Sequence, residues 1–360
     1  MEFNNGEEMI NIMKNVSFII ITVIFSSLLM SLNARTQKYT SFDENYRDPF
    51  ILMDDEQFYI WDKTLRKVVI YSMKSLKRIA EFGKKGEGPG EFISINCASL
   101  DNDYIYISSF PKLCIFSKNG IFKKEIKGNA DAGSFKPFGK YLLGISHPYS
   151  NPNGNEGKMI FGLFDSGLKK EKDIYTAEYH FFAWAGDKKE NILWIRDCIK
   201  AVPFKSKLII GTTYKGFYFI VFDQAGNMLY EIKKEYEKRK VTESDKKRRI
   251  DDFKKHFGDQ RWNEHNLMYN IVFPEYYPAF SNFIVDRSRI YVFLIPEGEE
   301  EEILILNLEG QVLGKNTIPS MNINTLDRER FTVWNGKLYY LEDNLEEERW
   351  ELHELNIDSK

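Results

Sequence analysis

Cysteine and histidine are scarce in this chain. Its three cysteines, Cys97, Cys114 and Cys198, are far apart, with no CxxC pair and no zinc-ligand spacing. That excludes a disulfide-framework domain and a zinc ribbon. It leaves three small buried hydrophobes, or one oxidised pair and one spare thiol if the chain is exported. The five histidines are scattered, with His256 and His265 nine apart and no HExxH or HxxxH pattern. There is no G-x-S-x-G elbow and no GK[ST] phosphate loop, so no motif announces a hydrolase or a nucleotide enzyme. An excess of one charge is also missing: 50 Lys and Arg against 53 Asp and Glu give a net charge of −3. A protein so balanced has no global attraction to nucleic acid or to anionic membranes, and no nucleic-acid partner is expected.

Long apolar runs are absent apart from residues 16–32, VSFIIITVIFSSLLMSL, an uncharged stretch of the kind that drives export. Ala34 follows as a cleavage point, so residues 1–34 are expected to be a signal peptide, or an N-terminal anchor if uncleaved, with the folded chain spanning 35–360. Glu2, Glu7 and Glu8 make an acidic leader where a signal wants positive charge; a start at Met13, with Lys14 behind it, repairs this. No cysteine follows the run, which argues against lipid attachment. The expected location is the periplasm or cell surface, with membrane contact only through the N-terminal segment.

What is present points to β structure. Aromatic residues make up 15% of the chain, chiefly 28 Phe and 20 Tyr, types that suit a pleated, half-buried surface. From Lys38 onward, short apolar runs alternate with Gly, Asn, Asp and Lys turns. One element recurs six times, an apolar run ending in an aromatic or Leu before a polar turn, at Tyr71, Phe116, Phe164, Phe222, Leu306 and Leu355. Each copy follows a second apolar strand, such as Tyr104-Ile-Tyr-Ile107. The intervals are 45, 48, 58, 84 and 49 residues. Units of that length are four-stranded propeller blades, and six copies predict an all-β, six-bladed β-propeller of four-stranded antiparallel blades.

The interval of 84 carries a helical insertion at about residues 233–270, between blades four and five. Thr242 with Asp245 forms a capping box, Ile250, Phe253 and Phe257 share one face, and Gly258 is expected to end the helix. The last recurrence ends almost at the C-terminus, which leaves blade six without an outer strand. Residues 38–44 are therefore expected to supply it and close the ring.

The stretch Arg78-Ile-Ala-Glu-Phe-Gly-Lys-Lys-Gly-Glu-Gly-Pro-Gly-Glu-Phe92, followed by Leu100-Asp-Asn-Asp-Tyr-Ile-Tyr-Ile107 and Ile115-Phe-Ser-Lys-Asn-Gly120, resembles an NHL-type repeat. The whole folded chain is similar to the bacterial exported six-bladed β-propeller proteins of that broad group. The first two blades carry the resemblance; Ile93-Ser-Ile-Asn96 stands where a Pro-x-Gly-Ile stretch often follows, and Ser108 or Ser109 where an Asp is common. The Gly-rich loop becomes the crossover between blades one and two rather than a phosphate cradle, since a strand and not a helix follows it.

In antiparallel blades numbered A to D outward from the channel, the B-to-C turns and D-to-A crossovers share one face. On it fall His180, Trp184, Trp262, Tyr269, Phe273, Tyr276 and Tyr277, either as an apolar or sugar-stacking platform or as glue for the insertion. The basic segment 238–249 is expected to be a solvated helix, or to pair with the acidic turn at Glu299–Glu302. Asn151-Pro-Asn-Gly-Asn-Glu156 is a polar turn with oxygen ligands enough for calcium, without the carboxylate density of a strong site; no other cofactor is expected. These features describe an exported, monomeric, non-catalytic propeller that binds a peptide, glycan or protein partner on the crossover face. The rival reading is a metal-dependent propeller hydrolase or lyase at the central channel mouth, with Asn96, Asn282 and Asp286 as its candidates.

Overall fold

Apolar runs separated by short polar turns, most of two to five residues, fold as hairpins, and here they assemble into six four-stranded sheets. The computed structural model describes residues 38–128, 132–147, 156–180, 190–193, 195–298, 300–319, 330–344 and 346–358. The sheets occupy residues 49–82, 97–127, 134–180, 199–234, 282–319 and 331–356. The first strands of the sheets are Pro49–Met53, Cys97–Leu100, Ser134–Phe138, Ile199–Phe204, Asn282–Asp286 and Phe331–Trp334. They touch in that cyclic order, and the last touches the first. The six sheets are the antiparallel blades of a closed ring.

Each blade packs both faces against neighbours, so second and third strands such as Gln57–Asp62 and Lys67–Ser72 of blade one are apolar on both sides rather than alternating, whereas the third strand of blade six, Arg349–Asn356, carries Glu351 and His353 among its buried residues. In blade four, Lys207–Thr212 and Phe217–Asp223 are buried along nearly their whole length, while the outer strand Met228–Lys234 is mostly exposed. Between blades four and five, Phe219 stacks on Phe280 at 5.2 Å and meets Phe283 edge-on at 5.0 Å. The three cysteines are buried thiols, packed as small hydrophobes.

The Gly-rich stretch is the crossover between blades one and two, as its composition predicts. Phe92 is fully buried and turns back under the loop; a Cβ on Gly83 would lie 2.1 Å from its ring, which is why glycine, at φ +83°, stands there. The loop's own groups consume its donors: Gly86 N donates to Phe92 O, and Gly88 N donates to the Glu91 carboxylate at 3.0 Å. Its carbonyls at Glu87 and Gly88 accept from the buried Lys112 ammonium at 3.0 and 2.7 Å. The loop is thus organised around a cation.

Blade six takes its outer strand from the other end of the chain: Lys38–Ser41 pairs beside Arg349–Asn356. This is the predicted closure. Residues 1–37, with Met13, the apolar run and Ala34, lie outside the described residues, as do residues 151–155 of the candidate calcium loop.

The turns between third and fourth strands bring backbone against the preceding blade. At Gly310, with φ +86°, an added Cβ would lie 2.4 Å from Ile232 Cγ2. Gly310→Ala is therefore expected to cost about 1–3 kcal/mol in overpacking, beyond its backbone strain. A urea midpoint equal to wild type would show that the turn can shift away.

Candidate functional site

The crossover from blade four to blade five leaves and returns along one path. Val241 N donates to Glu275 O and Tyr277 N donates to Arg239 O, both at 2.9 Å, so 239–241 and 275–277 form a short antiparallel stem. The helix α1, Glu243–Met268, stands on that stem. Thr242 and Asp245 make the predicted reciprocal cap: Asp245 N donates to Thr242 Oγ1 at 3.2 Å and Thr242 N to Asp245 Oδ2 at 3.0 Å. Burial opposes ionisation of Asp245, but the Thr242 hydrogen bonds and the charges of Arg239 and Arg248 hold its carboxyl below the usual range.

Gly258, at φ 84° and ψ 157°, ends the first helix as expected, and a second helix follows directly across the kink to Met268. Glycine lacks the Cβ that would forbid the break, and the second half gains a packing partner. Phe253 and Trp262 would be about 13 Å apart along a straight helix, yet their rings meet edge-on at 5.7 Å. Phe253 thus finds its packing across the kink; the side chain of Phe257 lies outside the described ones. After α1, Tyr269–Val272 pairs in parallel with Glu190–Leu193, with Glu190 opposite Tyr269, and so joins two successive crossovers on this face.

The seven aromatic candidates separate, and Phe273 packs half-buried against the cluster that holds Tyr277. Trp262 is buried against Phe253, with the Lys254 ammonium 5.9 Å from its ring. Tyr277 is 3% exposed and packs with Ile195 and Val241. Tyr276, its neighbour, is 41% exposed, with Lys238 Nζ 5.8 Å from the ring. His180 ends the outer strand of blade three and Tyr269 opens the small parallel sheet, both placed by backbone alone; Trp184 lies outside the described residues. Trp262 and Tyr277 hold the insertion together, and Tyr276 faces solvent.

Two arginines complete the arrangement. Arg239 lies 4.0 Å and Arg249 5.8 Å from the centroid of the Tyr277 ring. Arg239 Nη1 donates to Pro296 O at 2.9 Å and approaches Glu297 at 3.9 Å, ahead of the acidic residues Glu300 to Glu302. Arg239 Nη2, Arg249 Nε and Tyr277 Oη are buried polar atoms with no hydrogen-bond partner. Composition could not reveal this, because two residues of a basic run look like solvated surface until the stem sets them against a tyrosine. Beside them lies a cleft of about 1060 Å³ between blades four and five, lined by 235–239, Tyr277–Ala279, Ile295 and Glu297 among others.

The three candidates at the channel do not converge. Asn96 Nδ2 donates to Gly133 O at 3.2 Å, and its Oδ1 accepts from Ser94 Oγ at 2.9 Å. Asn282 is buried and accepts from Lys200 Nζ at 3.1 Å. Asp286, its carboxyl pushed up by burial, accepts from Gly336 N at 2.9 Å. Asn282 and Asp286 stand at opposite ends of one strand, about 13 Å apart at strand spacing, too far to share an ion. Among the described residues no three His, Cys, Asp or Glu are grouped to hold a metal.

Similarity to known proteins lies in the fold. No curated protein matches the chain. A crystal structure from Bacteroides fragilis NCTC 9343, described as that of a "Putative exported protein", aligns with a TM-score of 0.54 at 12% identity over 91% of this chain and 98% of that one. BamB from Moraxella catarrhalis aligns with a TM-score of 0.37 at 10% identity over 89% of this chain and all of that one. Residues 44–178, the first three blades, match the family model described as "6-bladed beta-propeller". With six blades closed in one ring, the chain is a six-bladed β-propeller.

Proposed function

We propose that this chain is an exported, non-catalytic β-propeller that binds a peptide, glycan or protein partner on the face carrying the interblade crossovers, at the cleft between blades four and five. The observation that carries this reading is the cleft itself. It lies beside the insertion, with the exposed Tyr276 ring nearby and buried, unmatched donors of Arg239 and Tyr277 in its wall. A buried N–H or O–H without a partner costs free energy that a ligand acceptor would recover. The lining is rich in charge of both signs, with Lys238 and Arg239 facing Glu297, Glu300 and Glu302, beside apolar Phe217, Leu294 and Ile295, a mixture suited to a polar ligand. Export rests on the apolar run at 16–32 and its following small residue.

The test screens the full chain from Lys38 onward against immobilised glycan and peptide arrays, with Tyr276→Ala and Trp262→Ala alongside. Tyr276→Ala is expected to abolish the ligand signal with the melting temperature kept. Trp262→Ala should lower stability by about 3 kcal/mol. Hits that survive Tyr276→Ala and Arg239→Ala undiminished would move the site elsewhere. Stoichiometric calcium or zinc in the purified protein would favour the metal-dependent enzyme instead.

A further inference from the structure

In three blades the turn between third and fourth strands presents a glycine to the blade before it. A Cβ on Gly120 would lie 2.8 Å from Phe82, on Gly226 3.2 Å from Ile174 and on Gly310 2.4 Å from Ile232. Bare backbone closes each of those seams. Blade three departs from the pattern, since in Asp165-Ser-Gly-Leu168 the glycine comes one place early and Leu168 takes the positive φ, 65°. A Cβ on Gly167 would meet only Asp165 of its own turn. Leu168 is buried in a cluster with Leu113 and Ile115 of blade two and Leu142 of blade three. An isobutyl group therefore stands between blades two and three where the seams at Gly120, Gly226 and Gly310 have none; Leu76, at φ 57°, does the same between blades one and six.

The same seam opens, on the face opposite the crossovers, into a groove of about 320 Å³ lined by Ser166 of that turn. The register of blade two explains the rest of its wall. Tyr106, Ile115 and Lys124 are successive partners across three strands, so they share the side that faces blade three. Tyr104, Lys123, Lys140 and Tyr141 complete the rim. The lining holds three lysines and no carboxylate. None of the three lysines is ion-paired among the described residues. Tyr104 is 38% exposed, and Lys140 Nζ lies 4.9 Å from the Tyr141 ring.

We infer that this groove binds a sugar ring carrying an anionic substituent, a carboxylate or a sulfate ester. Tyrosine faces take the C–H face of a pyranose, and the open groove leaves its hydroxyls in water. Lysines supply adaptable point charges for the anion. The volume is at the small end for ligand sites and suits one or two rings. The site is independent of the crossover-face cleft, and its occupancy is expected to be unaffected by Tyr276→Ala.

The experiment is calorimetric titration of the full chain from Lys38 onward with trigalacturonate, with N-acetylgalactosamine 6-sulfate, which has no carboxylate, and with neutral maltotriose. At least one acidic sugar is expected to bind ten-fold or more tighter than maltotriose and to weaken as salt is raised. The two acidic probes separate carboxylate from sulfate. Lys123→Glu with Lys124→Glu should lower that affinity at least ten-fold, and Tyr104→Ala should weaken it, with melting temperatures kept. Equal binding of maltotriose, no binding of either acidic sugar, or undiminished affinity in the lysine double variant would overturn the assignment.

Discussion

A chain lacking residues 38–46 is expected to lose most of its folding stability, because that segment joins blade six to blade one. Phe42 and Tyr46 are each 3% exposed. Phe42 lies 5.1 Å from the Tyr71 ring, and Tyr46 Oη shares a 2.7 Å hydrogen bond with Tyr71 Oη. On the blade-six side, Phe42 N donates to Trp350 O at 3.1 Å and Trp350 Nε1 donates to Tyr46 O at 3.0 Å. Glu44 pairs with the half-buried Lys67 and with Arg78 of blade one, a smaller contribution than the aromatic packing because solvent still screens it. Phe42→Ala alone should cost about 3–5 kcal/mol by truncation in a packed core. The deletion removes two such aromatics and re-exposes an edge strand, a loss comparable with the whole of a typical domain's ~5–15 kcal/mol. Thermal and urea unfolding of the two variants measures this. Midpoints within error of wild type would mean that the ring closes without the segment.

Glu301→Gln is expected to stabilise the protein by about 3 kcal/mol above pH 7 and to change little at pH 4. Glu301 is 5% exposed on the third strand of blade five, where burial pushes its carboxyl from 4.5 up to about 7 against the small opposing effect of Ser281 Oγ, 3.4 Å away. The sign follows from linkage. Below pH 4.5 the carboxyl is protonated folded and unfolded, and its contribution is complete. Between 4.5 and about 7 the unfolded chain releases the proton while the folded one retains it, so stability falls as pH rises. Above 7 the loss is complete. Glutamine keeps the shape and removes the titration. Urea midpoints for both proteins from pH 4 to pH 8.5 test this, and parallel pH profiles would exclude Glu301 as the source.

The two results rest on different kinds of information. The Lys38–Ser41 strand was legible because it stands ahead of the first of six regularly spaced recurrences. The buried state of Glu301 is hidden in an acidic run that resembles a solvated turn. The run begins a strand, and alternation then turns Glu301 inward while Glu300 and Glu302 remain more exposed.

The candidate sites divide in the same way. Thr242, Asp245 and Gly258 were readable as helix signals because capping and left-handed backbone are local matters. That Gly258 bends the helix so that Trp262 meets Phe253 is a long-range packing outcome, and Trp262 consequently belongs to the scaffold. Tyr276 and Tyr277 are adjacent in sequence with opposite exposures, because the stem at 275–277 is extended and points successive side chains to opposite sides.

By itself the sequence determined the number of blades, the strand order, the place of the insertion and the closing strand, since these depend on apolar periodicity and turn residues close along the chain. Only the tertiary structure decided which charged groups share a surface. Arg239 and Arg249 come together on Tyr277, Asn282 and Asp286 are held apart at two ends of one strand, and Leu168 stands in the blade-two seam in place of a glycine. Those placements depend on how neighbouring blades pack, where a single side chain at a seam sets the spacing of residues remote in sequence.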